Sequence, residues 1–311
     1  LPTFWGLCYY ITDNFFVNLV VSKIRRISNW LNSKKLAKYL LETKPDVIIS
    51  THFFPSEVIS DMKASGVLKS HLVTVVTDYR LHSWWVCDCT DTYVVASREA
   101  RDDLIRWKVD PAKIKIAGIP IEPVFSKKLD KAKTMEKLGL KSGIFTILAI
   151  GGGFGVGPIE DIVRATNEIS EPVQVVAICG HNDELVKKLN SLAPTLKIHL
   201  NVLSFVDNVY EYMDAADILI SKSGGITVSE SLAKEVPMVI ISPIMGQETR
   251  NSDFLITNGA AIKIDRPSEL KSILEEIIRN PEKMDKMKDA IRTVKKPAAC
   301  YDVARIAIDL C

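Results

Sequence analysis

Ten short runs rich in Val, Ile and other strand-favouring residues recur along the chain, spaced far enough apart for a helix in most of the gaps. They are DVIIS (46–50), HLVTVVT (71–77), TYVVA (92–96), KIKIAG (113–118), IFTILAI (144–150), VQVVAIC (173–179), KIHLNVL (197–203), DILIS (217–221), PMVIIS (237–242) and AAIKI (260–264). Several are apolar throughout and lack the in–out alternation of a half-exposed sheet, as expected of parallel strands covered on both faces. Between them, SREARDDLIRW (97–107) and GITVSESLAKE (225–235) read as helices. This alternation predicts βαβ units and an α/β fold of doubly wound sheets.

At 311 residues the chain is long enough for about two domains. A seam is expected where GIPIEPVF (118–125) brings two prolines and is followed by the charged SKKLDKAKTMEKLGLKSG (126–143). The predicted division is an N-terminal domain over 1–125, a C-terminal domain over 126–295 and a last helix, 296–311. That helix starts after Pro297, places Val303, Ile306 and Leu310 on one stripe, and is expected to cross back to the N-terminal domain. Four strands precede the seam and six follow it. A doubly wound domain usually begins with its central strand, so the N-terminal domain is expected to lack its first βα unit.

Composition excludes several classes. A net charge of +2 gives no reason to expect nucleic acid as a partner. No apolar run is long enough to span a bilayer, and no signal peptide is visible. Six cysteines are scattered, and the one close pair, Cys87 and Cys89, has the wrong spacing for a zinc knuckle. Reduced thiols in a cytoplasmic protein are the expectation.

Two glycine-rich loops follow predicted strands. GGGFGVGP (151–158) lies between IFTILAI and a helix, where bare backbone can approach an anion and helix N–H groups can face it. It is not the dinucleotide fingerprint G-x-G-x-x-G: the sixth position is Val156 counted from Gly151 and Pro158 counted from Gly153. The following strand also ends in Cys179 and Gly180, with no acid for a ribose hydroxyl. No Gly-Lys-Ser/Thr follows, which excludes a P-loop. The second loop, SKSGGIT (221–227), delivers another helix start. Thr227 and Glu230 share a helix face there, either as a capping box or as ligand-facing groups. One strand later, SPIMGQETRN (242–251) supplies Gln247, Glu248 and Asn251. Ligands of such sheets bind beyond the carboxyl ends of the strands, so three loops are expected to converge on one crevice. Backbone amides for a diphosphate, a carboxylate for vicinal hydroxyls and planar amides for a hexose together suit a nucleotide-sugar.

SGGITVSESLAKEVPMVIISPIMGQETRN resembles the donor-site region of family 28 glycosyltransferases. The branch it is most similar to is that of diacylglycerol glycosyltransferases and monogalactosyldiacylglycerol synthases. The resemblance extends to GGGFGVGPIEDIV, VVAICGHNDEL, KPDVIISTHFFPSEV, TVVTDYRLHSWWV and KIKIAGIPIEPVF, covering roughly residues 44 to 264. It implies a GT-B fold, two Rossmann-like domains facing a cleft, and inverting transfer of a hexose from a UDP-sugar to a membrane lipid, with no cofactor and no catalytic metal. Carried over by position, it implies that Gly151, Gly152, Gly153 and Phe154 lie over the diphosphate and Phe205 at the uracil. Gly225, Ile226 and Thr227 would hold the α-phosphate, Glu230 the ribose, and Gln247, Glu248 and Asn251 the hexose. Family members carry a glycine-rich loop with a His after their first strand, which this sequence does not show. A transferase for a lipid-linked cell-wall intermediate and a nucleotide-sugar-binding protein without turnover are the alternatives.

Acceptor chemistry is expected in TDYRLHSWW (77–85). Asp78 ends an apolar strand where a general base belongs, and His82 lies four residues on. His52 also follows a strand, and His181 follows AICG. Residues 1–44 carry seven basic residues, Lys23, Arg25, Arg26, Lys34, Lys35, Lys38 and Lys44, against Asp13 and Glu42. The same stretch holds Phe4, Trp5, Tyr9, Tyr10, Phe15, Phe16 and Trp30, a mixture that suits contact with an anionic membrane surface. With the implied lipid acceptor, the expected location is the inner face of the cell membrane, peripherally bound.

Overall fold

The structure is a computed structural model that describes residues 6, 9–153, 155 and 157–311, without the side chains of 15, 16, 18–20, 23, 24, 27 and 30. The expectations for Phe4, Trp5, Cys8 and Phe154, and for the side chains of Phe15, Phe16, Lys23 and Trp30, lie outside the described residues.

All ten β-rich runs form strands. β1 (Val47–Ser50), β2 (His71–Val75), β3 (Thr92–Val95) and β4 (Ile114–Ile116) make one sheet in the order β1-β2-β3-β4. A second sheet comprises β5 (Phe145–Ile150), β6 (Val173–Ile178), β7 (His199–Leu203), β8 (Ile218–Ser221), β9 (Met238–Ile241) and β10 (Ala261–Ile264). Its order is β10-β9-β8-β5-β6-β7. Every pairing is parallel, in a register such as Leu148 opposite Leu219 and Ala149 opposite Ala177. The strands end slightly earlier than the apolar runs because the residues beyond them turn into the loops that carry the chemistry.

The chain divides into two compact units. One comprises the residues up to Ile121 together with Met245–Asn251 and Ala298–Cys311; the other comprises Glu122–Ile244 and Ser252–Pro297. In the first, Val73, Val75 and Val94 pack with Val303 of the helix Ala299–Ile308. Leu72 packs with Ile59 of the helix Phe53–Ala64. Successive strand residues thus meet helices on opposite faces, which is why β2 and β3 read as unbroken apolar runs. In the second, Ile147, Val175, Ile218 and Val239 meet Ile159, Ile162 and Val163 of the helix Ile159–Thr166 and Leu270 and Leu274 of the helix Leu270–Arg279. Each such side chain, fully withdrawn from water, contributes about 1.5–3 kcal/mol.

The second sheet reverses direction at β5. After β5 the chain adds β6 and β7 on one side, then returns to place β8 against the other side of β5 and builds outward through β9 to β10. Such a switch point leaves a crevice at the carboxyl ends of the two central strands. The helix Gly225–Lys234 starts there, directly after β8, and its far end is anchored. Lys234 pairs with Asp214, both side chains almost wholly buried, donates to the Lys127 carbonyl and lies 5.6 Å from the Tyr210 ring centre.

Removing one partner of a buried pair leaves the other charge uncompensated. Lys234→Met is expected to lower stability by about 3–5 kcal/mol, and adding Asp214→Leu to recover most of it, read from urea unfolding midpoints.

Candidate functional site

The loop after β5 is shaped by contacts that leave no room for side chains. Gly155 has φ +62°, and a Cβ there would lie 2.0 Å from the Cys179 carbonyl oxygen. Gly180 has φ +58°, and a Cβ there would meet the Gly153 carbonyl oxygen at 2.4 Å. The loop closes on itself through Gly155 N–H to the Gly152 carbonyl at 3.0 Å, and is pinned to the end of β6 by His181 N–H to the Gly153 carbonyl at 3.0 Å. Gly151, Gly152 and Gly153 are thereby held as exposed or half-exposed backbone at the switch point. Gly180 was not among the residues singled out in the sequence, although its place after an apolar strand was the available signal.

Beyond β7, Phe205 is 49% exposed and its ring stacks on that of His181, with centres 4.5 Å apart and planes 8° from parallel. An open aromatic pair therefore stands beside the glycine loop, on the same carboxyl edge.

After β8 the helix Gly225–Lys234 has Gly224 as its N-cap, and no side chain caps it. The capping-box reading of Thr227 and Glu230 fails for this reason: Thr227 is the third helical residue, inside the first turn. The N–H groups of Gly225, Ile226 and Thr227 are left to whatever binds there, with the positive end of the helix dipole behind them. Glu230 lies one turn on, half-buried. Among the described residues no hydrogen bond or ion pair reaches its carboxyl group. Burial, and then the neighbouring charge of Glu122, push its pKa up to about 7. A partly desolvated carboxyl group with no donor among the described residues is suited, once ionised, to accept hydroxyl hydrogens from a ligand. Glu122 sits at the seam, and nothing in the sequence linked it to Glu230.

The remaining predicted residues belong to the first unit. Asp78 follows β2 and is 4% exposed. Its Oδ2 accepts a hydrogen bond from Gln247 Nε2 at 3.1 Å, and its Oδ1 one from Asn251 Nδ2 at 3.5 Å. Burial raises its pKa, opposed by hydrogen bonds from Gln247, Asn251 and Trp85 and by the Arg250 charge. Asn251, 1% exposed, also accepts the Tyr79 N–H at 2.8 Å. Glu248 is half-buried on the same turn of the helix Gln247–Thr257.

His82 is 2% exposed and has both ring nitrogens engaged. Nε2 lies 2.8 Å from the Tyr9 carbonyl and Nδ1 accepts the Trp84 N–H at 3.2 Å, capping the short turn Ser83–Trp85. Only a neutral ring protonated at Nε2 satisfies both contacts, and burial pushes its pKa down to about 4. His82 therefore holds the loop in place and keeps no free lone pair for a substrate proton. His52 caps the helix Phe53–Ala64 by accepting the Phe54 N–H at 3.2 Å. Its pKa is lowered by burial and raised in part by Asp78. Tyr9, grouped in the sequence with surface aromatics, is 1% exposed, and Arg250 lies 5.1 Å over its ring while pairing with Asp13. Among the described residues no group of three or more His, Cys, Asp or Glu side chains is spaced to hold a metal.

Residues 1–121 match the family model for monogalactosyldiacylglycerol (MGDG) synthase, and residues 146–301 match that for the glycosyltransferase family 28 C-terminal domain. The chain is 32% identical over 280 residues to the processive diacylglycerol beta-glucosyltransferase of Staphylococcus epidermidis, a match covering 89% of this chain and 70% of that one. It is similar in structure to MurG of Acinetobacter baumannii, with a TM-score of 0.65 and 18% identity over 88% of this chain and 76% of the other. It is likewise similar to MnaA of S. aureus, solved with UDP, with a TM-score of 0.68 and 13% identity over 93% and 82% of the two chains. These two structures share the fold, of the GT-B type.

Glu230 keeps its proton up to about pH 7 in the native protein, against an ordinary 4.5, so its ionisation lowers stability as pH rises between those values. Glu230→Gln is expected to leave the melting temperature unchanged near the bottom of that window. At pH 8 it should raise it by about 2–4 °C, the equivalent of one kcal/mol once solvent screening is allowed for.

Proposed function

Because this chain belongs to glycosyltransferase family 28, in the branch of monogalactosyldiacylglycerol synthases and diacylglycerol glucosyltransferases, we propose that it transfers a hexose from a UDP-sugar to diacylglycerol with inversion at the anomeric carbon. The observation that carries this reading is Glu230, a half-buried carboxyl group with no donor among the described residues, one turn inside a helix whose N-terminus opens at the switch point beside a glycine loop. The name of the S. epidermidis relative and the UDP bound to MnaA support it.

In this reading the second unit holds the donor. The amides of Gly152 and Gly153 and the first turn of the helix Gly225–Lys234 receive the diphosphate, with Gly151 tied to β6 through its N–H to the Ile178 carbonyl, Phe205 stacks on the uracil, and Glu230 accepts the ribose hydroxyls. As the glycosidic bond breaks, charge develops on the leaving diphosphate. The fixed amides and the helix dipole, worth about 0.3–2 kcal/mol per helix end, stabilise it without a cation. Asp78 of the first unit takes the proton of the acceptor hydroxyl. Burial raises its pKa, which makes it a stronger base than an exposed carboxylate, and His82 positions the loop that carries it.

The lipid acceptor calls for a membrane-facing surface, and in this reading the helices Phe15–Asn32 and Lys34–Thr43 form it. Leu31, Tyr39 and Leu41 are exposed there, alongside exposed Lys34, Lys35 and Lys38, and Tyr10 and Ile11 are exposed in the segment just before. Arg25 faces inward instead, paired with the buried Glu57, while Arg26 stays exposed and pairs with Asp61 and Asp88. Among the described residues no helix is long and apolar enough to cross a membrane. In this reading contact is made at the membrane surface, through these apolar side chains and attraction of the lysines to anionic lipid.

The test is transfer from radiolabelled UDP-glucose, UDP-galactose and UDP-N-acetylglucosamine to diacylglycerol in mixed micelles containing EDTA. A β-linked glycosyldiacylglycerol is expected from a UDP-hexose, and no lipid product from any donor would sink the reading. Glu230→Ala is expected to weaken UDP binding, whereas Asp78→Asn should bind UDP normally and lose about 10²–10⁴-fold in kcat. Equal loss of UDP affinity in both variants would contradict the division of roles.

Membrane contact has its own check. Tyr39→Ser with Leu31→Ser should reduce flotation on vesicles containing phosphatidylglycerol while leaving UDP affinity unchanged. Unchanged flotation would place the membrane surface elsewhere.

A further inference from the structure

Gln247 and Asn251 stand four residues apart on the first turns of the helix Gln247–Thr257, so their side chains share a face. That face meets Asp78. Gln247 Nε2 donates to Oδ2 and Asn251 Nδ2 to Oδ1, one amide for each carboxylate oxygen. Asn251 also accepts the Tyr79 N–H, and with 1% of its surface exposed it offers little to a ligand. The helix start is held against the same neighbourhood. Gly246 has φ +106°, and a Cβ there would come within 3.0 Å of the Tyr9 ring. Arg250 donates to the Leu81 carbonyl and pairs with Asp13. The strand end carrying Asp78 and the helix start carrying the two amides are thus fastened to each other at several points.

From this geometry we propose that Gln247 and Asn251 are positioning residues for Asp78, acting on transfer through that carboxylate and not through contact with the sugar. The inference rests on the reading of Asp78 as the general base. A carboxylate buried among aromatic and apolar groups can rotate or hold its proton unless donors fix it. Two amides on separate oxygens set its plane and favour its charged form. The charged and titratable groups that act on it are Arg250 on the helix of the two amides, Tyr9, and His52 at the start of the helix Phe53–Ala64, with Asp13 reaching it only through Arg250. These stay in place when an amide is removed, so the amide's own effect can be read.

The experiment compares wild type with Gln247→Leu, Asn251→Ala and Asp78→Asn. The readouts are kcat/KM against pH and the ratio of dissociation constants for UDP and for the UDP-hexose that supports transfer. Loss of a donor to the carboxylate should lower kcat about 10–100-fold and move the acidic limb of the profile upward by about 1–2 pH units. The ratio of the two dissociation constants should stay within about twofold of wild type, because neither amide touches the hexose. A changed ratio with an unmoved acidic limb would overturn the inference and make these residues sugar ligands; so would wild-type profiles in Gln247→Leu. Asn251 is buried and its variant can fail to fold, in which case the half-buried Gln247 carries the test alone. If Asp78→Asn itself transfers at the wild-type rate, the general-base reading fails. If Asp78→Asn is inactive while Gln247→Leu keeps its acidic limb, only the present inference falls.

Discussion

The reversal of strand order at β5 is the constraint from which the chemistry of the second unit follows. Parallel strands need crossovers of one hand, so a sheet that grows first to one side of β5 and then to the other sends its connecting helices to opposite faces. At β5 and β8 the chain leaves the carboxyl edge in divergent directions. The space between receives a glycine loop from one strand and a bare helix N-terminus from the other. Both present backbone amides with no side chain in front of them. Glu230 is then placed by helix periodicity alone, one turn in from that end.

Placing a carboxyl group there weakens the fold. Half-buried, without a donor and beside Glu122, Glu230 would be more stable neutral or absent. Buried polar groups are usually satisfied within the protein, and those that are not tend to mark places where something else binds. The contrast with Lys234 at the other end of the same helix is instructive. That side chain is even further out of water but meets Asp214 and a backbone carbonyl, so it anchors where Glu230 waits for a partner.

Much of this could be read from the residues. The ten β-rich runs were read as strands, several of them as covered on both faces, and all ten formed strands. Glycines after two such runs marked the amide-bearing loops, and the position of Glu230 within its helix was set once the start of GITVSESLAKE was known. What could not be read were contacts between distant parts of the chain. Thr227-x-x-Glu230 fits a capping box and a ligand face equally well, and only the position of Gly224 at the N-cap decides between them. Asp78 and Asn251 are 173 residues apart and meet through amide geometry that leaves no trace in periodicity. Tyr9 looked like a surface aromatic because its cover, Arg250 and Gly246, comes from far along the chain. His82 looked like a base until both of its nitrogens were seen to be occupied.

The central claim is that Glu230 acquires its missing donors from the ribose of a uridine diphosphate. If so, the group changes from largely protonated to ionised on binding, and the proton must leave. Calorimetric titration of UDP at about pH 6.5, in two buffers of different ionisation enthalpy, measures that proton directly. Wild type should release a substantial fraction of one proton more per UDP bound than Glu230→Gln. UDP binding with identical proton release in the two proteins, or no binding by wild type, would contradict the claim.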